Sequence, residues 1–296
     1  MSSDEEEEDV SEITVNPIGV VRSSVKQRSD MPTLGVPALI EVFDAYTAGL
    51  RHLEKHSHLW VLAWLHEAGR DKLLVTPRGV RDQGEAGLHG VFAVRSPTRP
   101  NPIGLSAVRI VAIEGNRIRV DRLDFVDGTP VIDMKPYFRR FDAIAAVRNE
   151  PIGRPASRDA ALAALLIEAE NFHGERCGGL ALAARIVEHA RSVLFDYRDP
   201  PGLKVIAPQA RGCLIDTLMA LFNVGFGRGT FGLHDRDAVI LAHGLRRYVY
   251  TLVIPPSRSF EDVLAAAESS VFQFHSFDES HSGGERDPRP LRSAHE

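Results

Sequence analysis

The sequence predicts two domains of different class. The elements recognisable in the first half are strands, while in the second half helices and strands alternate as an α/β (α+β) layer. Three observations predict this. At 296 residues the chain suits two domains of ordinary size. Asn149-Glu150-Pro151-Ile152-Gly153-Arg154-Pro155 brings two prolines and a glycine together, the composition of a linker. Beyond that linker the apolar pattern switches repeatedly between helical and strand-like runs. The expected divisions are an acidic tail over 1–11, a first domain over 12–148, a linker over 149–158, a second domain over 159–276 and a polar tail over 277–296.

The strongest local signal in the first half is Gly90 to Gly104, G-V-F-A-V-R-S-P-T-R-P-N-P-I-G. Pro97, Pro100 and Pro102 fix φ and remove backbone donors, so no regular element runs through them. The segment is expected to be a stiff loop between strand-like runs, holding Arg95, Arg99 and Asn101 in fixed directions. Guanidinium groups held this way suit an anionic or carboxylate-bearing ligand; the plainer reading is a rigid surface turn. A second run, Asp124 to Tyr137, reads D-F-V-D-G-T-P-V-I-D-M-K-P-Y. Asp127-Gly128-Thr129-Pro130 is a tight-turn sequence, and Val131-Ile132 begins a short strand. If Asp133 to Tyr137 is extended, then Asp133, Lys135 and Tyr137 share one face, either as a site rim or as a surface ladder.

These two runs resemble the signature of the TsaA-like (TrmO, YaeB-type) methyltransferases. Ile18 to Ser23 resembles the family's opening strand. Leu53 to Leu62, L-E-K-H-S-H-L-W-V-L, resembles the run that leads into another of its strands, and Leu105 to Ile113 the strand leaving the proline loop. The resemblance spans roughly residues 12 to 148. It departs where His52 stands for the usual Gly and His56 for the usual Phe; both read as solvated, and His58 as structural. The resemblance implies an all-β barrel that binds S-adenosylmethionine, near a homodimer interface. It also implies N6-methylation of threonylcarbamoyl-adenosine beside the anticodon of tRNA. Cofactor contacts are implied at Phe92, Arg95, Ser96, Arg99, Pro100, Asn101, Asp127, Gly128, Thr129, Pro130 and Lys135. Arg95 or Arg99 suits the carboxylate, Asp127 the ribose hydroxyls or ammonium, and the main chain of Gly128 and Thr129 the adenine edge. No G-x-G-x-x-G follows a strand, which argues against a Rossmann-type methyltransferase.

Methyl transfer from a sulfonium is an in-line displacement, so alignment supplies much of the rate. A base taking the proton from the acceptor nitrogen is the remaining need, and Asp133, Tyr137 and His66 are the candidates. Each has a bland alternative: Asp133 paired with Lys135, Tyr137 in the core, His66 solvated.

The composition is that of a globular chain. No run of eighteen apolar residues is present, so no membrane span is expected. Met1 to Val10 holds six acids and no base, unlike a basic-then-apolar signal peptide; a cytoplasmic protein is the expectation. The end from about Ser280 is polar and low in apolar residues. The net charge of −5 hides an asymmetry: residues 11–150 carry 19 Lys and Arg against 16 Asp and Glu, a net of +3. Arginines bunch at Arg78, Arg81, Arg95 and Arg99, and at Arg139 and Arg140. That distribution permits a tRNA partner without requiring one.

Two cysteines imply no disulfide framework. His173 and Cys177, four apart at a helix start, and Cys213 elsewhere supply three ligands for zinc or another divalent metal; the alternative is two small buried thiols. The sequence around them resembles the FmdE-like domain (of the formylmethanofuran dehydrogenase type) over about residues 160 to 255. His173, Cys177, Cys213 and Asp216 match its pattern. Glu175 replaces its second histidine, Gly178 its proline, Val224 a cysteine and Arg228 a lysine. Helices are expected from Ala160 to Ala169 (capped by Ser157 or Asp159), Leu180 to Arg191, Ile215 to Phe222 and Phe260 to Phe272. Strands are expected from Leu203 to Ala207 and Tyr248 to Ile254.

The two halves together read as a TsaA-like methyltransferase barrel fused to an FmdE-like domain that binds a metal, substrate or partner. Two alternatives stay open. One is methylation of a small molecule or metal-bound ligand presented by the second domain. The other is a non-catalytic S-adenosylmethionine sensor.

Overall fold

A computed structural model describes residues 13–147 and 149–279, apart from the side chains of residues 81 and 82. The acidic tail lies outside the described residues, as does the polar tail from residue 280. The chain divides into two compact units at Asn149/Glu150.

The first unit is a closed antiparallel barrel. Its strands are β1 (Gly19–Ser23), β2 (Val36–Val42), β3 (His58–Trp64), β6 (Ile103–Glu114), β7 (Arg117–Leu123) and β8 (Pro130–Pro136). They close in the order β1-β2-β7-β6-β3-β8. A separate two-stranded ribbon pairs β4 (Leu74–Val75) with β5 (His89–Gly90). Period-2 alternation decides which side chains enter the barrel. Along β3, Leu59, Val61 and Ala63 are fully buried, while His58, Trp60, Leu62 and Trp64 face outward. Ala38, Ile40 and Val42 of β2, Ile118, Val120 and Leu123 of β7, and Phe125 complete the core. Each fully buried Leu, Ile or Val contributes about 1.5–3 kcal/mol. Gly104 lies under the Phe125 ring, where a Cβ would come within 2.5 Å of it.

The barrel's shortest seam joins β1 to β8. Gly19 pairs with Val131 and Val20 with Pro130, and the two strands then part. By contrast β3 pairs with β6 along its whole length, from His58 with Arg109 to Trp64 with Ile103. On its other side β8 stays with β3, interrupted by a bulge between Leu62 and Ala63, as far as Pro136. A short helix α1 (Arg139–Asp142) follows β8.

The second unit is a five-stranded mixed sheet with helices. Helix α2 (Arg158–His173) starts at Ser157, whose side chain accepts from the Ala160 amide. It therefore begins inside the span read as linker. Helices α3 (Gly178–His189) and α4 (Gly212–Leu221) pack with α2 in the apolar core. A π-turn over Ala190–Leu194 ends α3. The sheet runs in the order β10 (Phe231–His234), β9 (Lys204–Pro208), β11 (Ala238–His243), β12 (Arg246–Leu252), β13 (Phe272–Asp278).

The single helix expected from Phe260 to Phe272 is corrected. The chain forms α5 (Phe260–Ala265), turns extended at Ala266 and Ala267, forms α6 (Glu268–Val271) and enters β13. The cause is aromatic burial. Phe272 and Phe274 alternate onto the Tyr250 and His189 rings at centroid distances of 5.0–5.5 Å, which a continuing helix would prevent. The polar tail expected from residue 277 is corrected too, because β13 pairs with β12 as far as Asp278 with Arg246. Strands β10 and β11 come in addition to those expected. Among the described residues no helix is long and apolar enough to cross a membrane.

Candidate functional sites

The proline loop sits at the barrel rim where β3 ends. Trp64 pairs with Ile103, and the Leu65 amide donates to the Pro102 carbonyl at 2.7 Å. Arg99 turns inward on the loop itself. Its Nε donates to the Ser96 carbonyl at 2.8 Å, and its Nη2 donates to the carbonyls of Val91 (2.7 Å) and Val94. One guanidinium thus satisfies three carbonyls that the prolines leave without amide partners. Arg70 adds a bond to the Pro100 carbonyl at 2.9 Å while lying over the Trp64 ring. Arg95 is exposed, with no side-chain partner among the described residues, and Phe92 is 83% exposed. The two arginines that the sequence treats as equivalent differ: Arg99 bonds to the loop's own carbonyls, and Arg95 is exposed.

The Asp127–Pro130 turn is clamped to the end of β1 at the same rim. Asp127 accepts from the Ser23 amide through Oδ1 at 3.0 Å, leaving Oδ2 for another donor. The Gly128 amide donates to Val21 O at 2.8 Å, and Thr129 returns its carbonyl to the Val21 amide at 2.9 Å. Thr129 is buried, with amide and hydroxyl both directed at Val126 O. Gly128 has φ +80°, and a Cβ there would meet nothing within 4 Å, so the turn needs glycine and has open space above it. Of the main-chain groups expected to reach an adenine edge, the Gly128 amide is engaged with β1 and the Thr129 amide within the turn.

Strand β8 then leads away from this rim. Asp133 pairs in register with Leu62 and Lys135 with Trp60, and the Tyr137 amide donates to His58 O at the start of β3. At about 3.3 Å per residue, Pro136 lies roughly 20 Å along the strand from Pro130. Asp133 is already engaged: Lys135 Nζ lies 2.6 Å from Oδ2, and Oδ1 accepts from the Met134 amide. Tyr137 packs on Trp60 at 5.3 Å and His58 at 6.5 Å. Burial, the largest cause, pushes the His58 imidazole below its ordinary range. Of the three candidate bases, His66, exposed two residues beyond β3, shares the rim of the proline loop. Within one chain the fold brings together Arg95, Arg99, Asp127 to Pro130 and His66; it leaves Lys135 and Tyr137 at the other end.

In the second unit three helix termini converge. His173 ends α2, followed by Gly174 at φ +91°. Cys177 caps α3, its Sγ accepting from the Leu180 amide, and Cys213 lies in the first turn of α4. One ligand atom from each of His173, Cys177 and Cys213 lies within 4.8 Å of the others. His173 Nε2 is 3.4 Å from Cys177 Sγ, while its Nδ1 faces Asp216 Oδ2 at 3.6 Å. A carboxylate on the far ring nitrogen is the usual support of a metal-ligating histidine. The close helix approach needs Gly179, where a Cβ would lie 2.7 Å from Cys213 Cβ. Burial first, then the Cys177 thiol beside it, pushes the Cys213 thiol above its ordinary range.

Sequence reasoning missed a polar cluster built on buried His189 and Glu188, with half-exposed Arg158 and Glu268. His189 Nδ1 meets the Tyr250 hydroxyl at 3.0 Å, its Nε2 lies 3.9 Å from Glu268, and Arg158 forks onto Glu188. No local motif marks it, because its members come from four separate elements.

A closed six-stranded barrel carrying a proline loop and a D-G-T-P turn on one rim is the class that this geometry defines. Residues 20–143 match the family model described as tRNA-methyltransferase O N-terminal domain. A probable S-adenosyl-L-methionine-binding protein of Archaeoglobus fulgidus is 41% identical over 180 residues, covering 59% of this chain and 47% of that protein. The chain therefore spans about half the length of that relative. A second S-adenosyl-L-methionine-binding protein from the same organism is 44% identical over 140 residues, 46% of this chain and 97% of its own length. The putative S-adenosylmethionine-dependent methyltransferase RcsF of Pseudomonas aeruginosa is 40% identical over 144 residues, covering 46% of this chain and 62% of its own. The chain belongs to the tRNA-methyltransferase O family through its N-terminal unit.

Proposed function

We propose that this chain binds S-adenosylmethionine at the proline-loop rim and transfers its methyl group. The leading acceptor is N6 of threonylcarbamoyl-adenosine beside the anticodon of tRNA. The observation that carries the reading is the division of labour between Arg99 and Arg95. One guanidinium is consumed in bonding the proline-built loop to itself, and the next is exposed on the rim that also carries the Asp127–Pro130 turn, whose Asp127 Oδ2 has no hydrogen bond among the described residues and whose Gly128 has open space above it. Those groups fit an amino-acid carboxylate, an ammonium or ribose diol, and a flat ring. The cofactor, when bound, supplies a methyl on a positively charged sulfur. Arg95 holds its carboxylate, Asp127 its ammonium or ribose, and His66 takes the proton from the acceptor nitrogen. A homodimer carrying a tRNA accords with the mildly basic first half.

In the second unit, FmdE-like in resemblance, His173, Cys177 and Cys213 hold zinc or a similar divalent ion, with Asp216 orienting the histidine. The convergence of three ligand atoms favours this reading. Such an ion, if bound there, would supply Lewis acidity.

Calorimetric titration with S-adenosylmethionine tests the first reading. Micromolar binding, weakened in Arg95→Ala, is expected, with methylated product on incubation with hypomodified tRNA. A folded chain that binds neither S-adenosylmethionine nor S-adenosylhomocysteine would sink it.

A further inference from the structure

The parting of β1 and β8 opens a cleft of about 360 Å³ at the barrel end away from the proline loop. Its floor is apolar, with Ile18, Val42 and Met134 among the residues lining it. The wall is the turn segment after β2, which brings in Tyr46, Arg51, His52 and His56. His52 is held at φ +70° and ψ 12°, left-handed backbone that suits the glycine of the family pattern better than an imidazole. His56 stands edge-on to Phe138 at 5.5 Å. Both residues departing from the family pattern therefore line one cleft, His52 exposed and His56 half-buried.

The charges select a ligand. Asp133, the acid of the cleft, is neutralised by Lys135 at 2.6 Å. Glu54 lies 3.6 Å from His52. Arg51 has no acidic partner among the described residues. An unbalanced guanidinium beside a phenol and two imidazoles over an apolar floor calls for a flat ring carrying an anion. The volume lies at the lower end of the range for small-molecule sites.

We propose that this cleft seats one nucleotide, its base on the floor beside Tyr46 and the imidazoles and its phosphate on Arg51. The nucleotide is either a free mononucleotide or one residue of an RNA strand. The seat is separate from the cofactor rim and does not depend on the methyltransferase reading.

The test follows the His52 and His56 imidazole resonances of the full chain by NMR, assigned with His52→Gln and His56→Gln. Titrants are adenosine 5′-monophosphate, adenosine, a short single-stranded RNA and S-adenosylmethionine. Both signals should move and saturate with the monophosphate. Adenosine, lacking the anion, should bind about tenfold more weakly, and Arg51→Ala should erase that difference. Tighter binding of the RNA assigns the seat to a strand, and binding of the mononucleotide alone assigns it to a free nucleotide. The proposal is overturned if neither signal moves with either phosphate ligand at millimolar concentration. It is also overturned if Arg51→Ala, with an otherwise unchanged spectrum, binds the monophosphate as well as the parent does, or if S-adenosylmethionine alone moves the signals. Failure of S-adenosylmethionine to bind anywhere would count against the methyltransferase reading and leave the cleft untouched.

Discussion

The two units solve the problem of holding a site in opposite ways. The barrel puts its candidate residues on loops and makes those loops rigid with prolines and with Arg99, so site and scaffold are separable. The second unit puts its candidates on the ends of three helices whose close packing, at Gly179, forms part of the core. The site there cannot shift without the fold shifting. A binding-site substitution should therefore leave the barrel folded, whereas in the second unit site and stability should fall together.

The largest expected effect tests the loop. Arg99→Ala removes three bonds to loop carbonyls. It should weaken S-adenosylmethionine binding by about a hundredfold, measured by calorimetry, with the melting of the barrel nearly unchanged; Arg99→Lys should not rescue it. Arg95→Ala should cost about tenfold. A barrel that unfolds in Arg99→Ala would break the claimed separation. Next, Gly179→Ala drives a Cβ into Cys213. It should lower the stability of the second unit by about 1–3 kcal/mol in denaturant melts, and also lower metal content by atomic absorption. Metal loss without destabilisation would make the second site as separable as the first.

Cys213 sharpens the contrast through pH. Burial, then Cys177, raises its thiol pKa, so the thiolate is disfavoured when folded. Alkylation of Cys213 should therefore stay slow through neutral pH and accelerate only above the ordinary thiol range. Bound zinc should protect it and release protons on binding. The smallest effect is shared. Burial lowers the pKa of both His58 in the barrel and His189 in the second unit. The unfolded chain takes up these protons first, so stability should fall as pH drops below about 6.5 and towards the lowered folded values. His58→Gln should flatten that slope for one unit and His189→Gln for the other.

Much of this was legible in the residues. Prolines announce a loop wherever they cluster, and D-G-T-P announces a turn. Ser157 and the His173–Cys177 spacing mark helix ends. What stayed hidden depends on partners. Nothing in R-S-P-T-R-P says that Arg99 folds back on its own carbonyls while Arg95 does not. The alternation that seemed to gather Asp133, Lys135 and Tyr137 is real, but an extended strand carries the last of them to the far rim. From Phe260 to Phe272 one helix was expected. Phe272 and Phe274 obey instead the pull of Tyr250 and His189, which are distant in sequence. His52 and His56 read as solvated, yet the segment that carries them walls a cleft where two strands part.

That short seam between β1 and β8 also bears on how the molecule is assembled. Gly19 pairs with Val131, more than a hundred residues later in the chain, whereas β1 meets β2 and β6 meets β7 across short connections. That seam adds only two paired residues, so closing it returns little until the rest of the sheet is in place. The β1–β2 and β6–β7 pairs are therefore expected to form first, and the β1–β8 seam to close last. It is also where the finished ring should breathe, its amides exchanging with solvent ahead of those in β3.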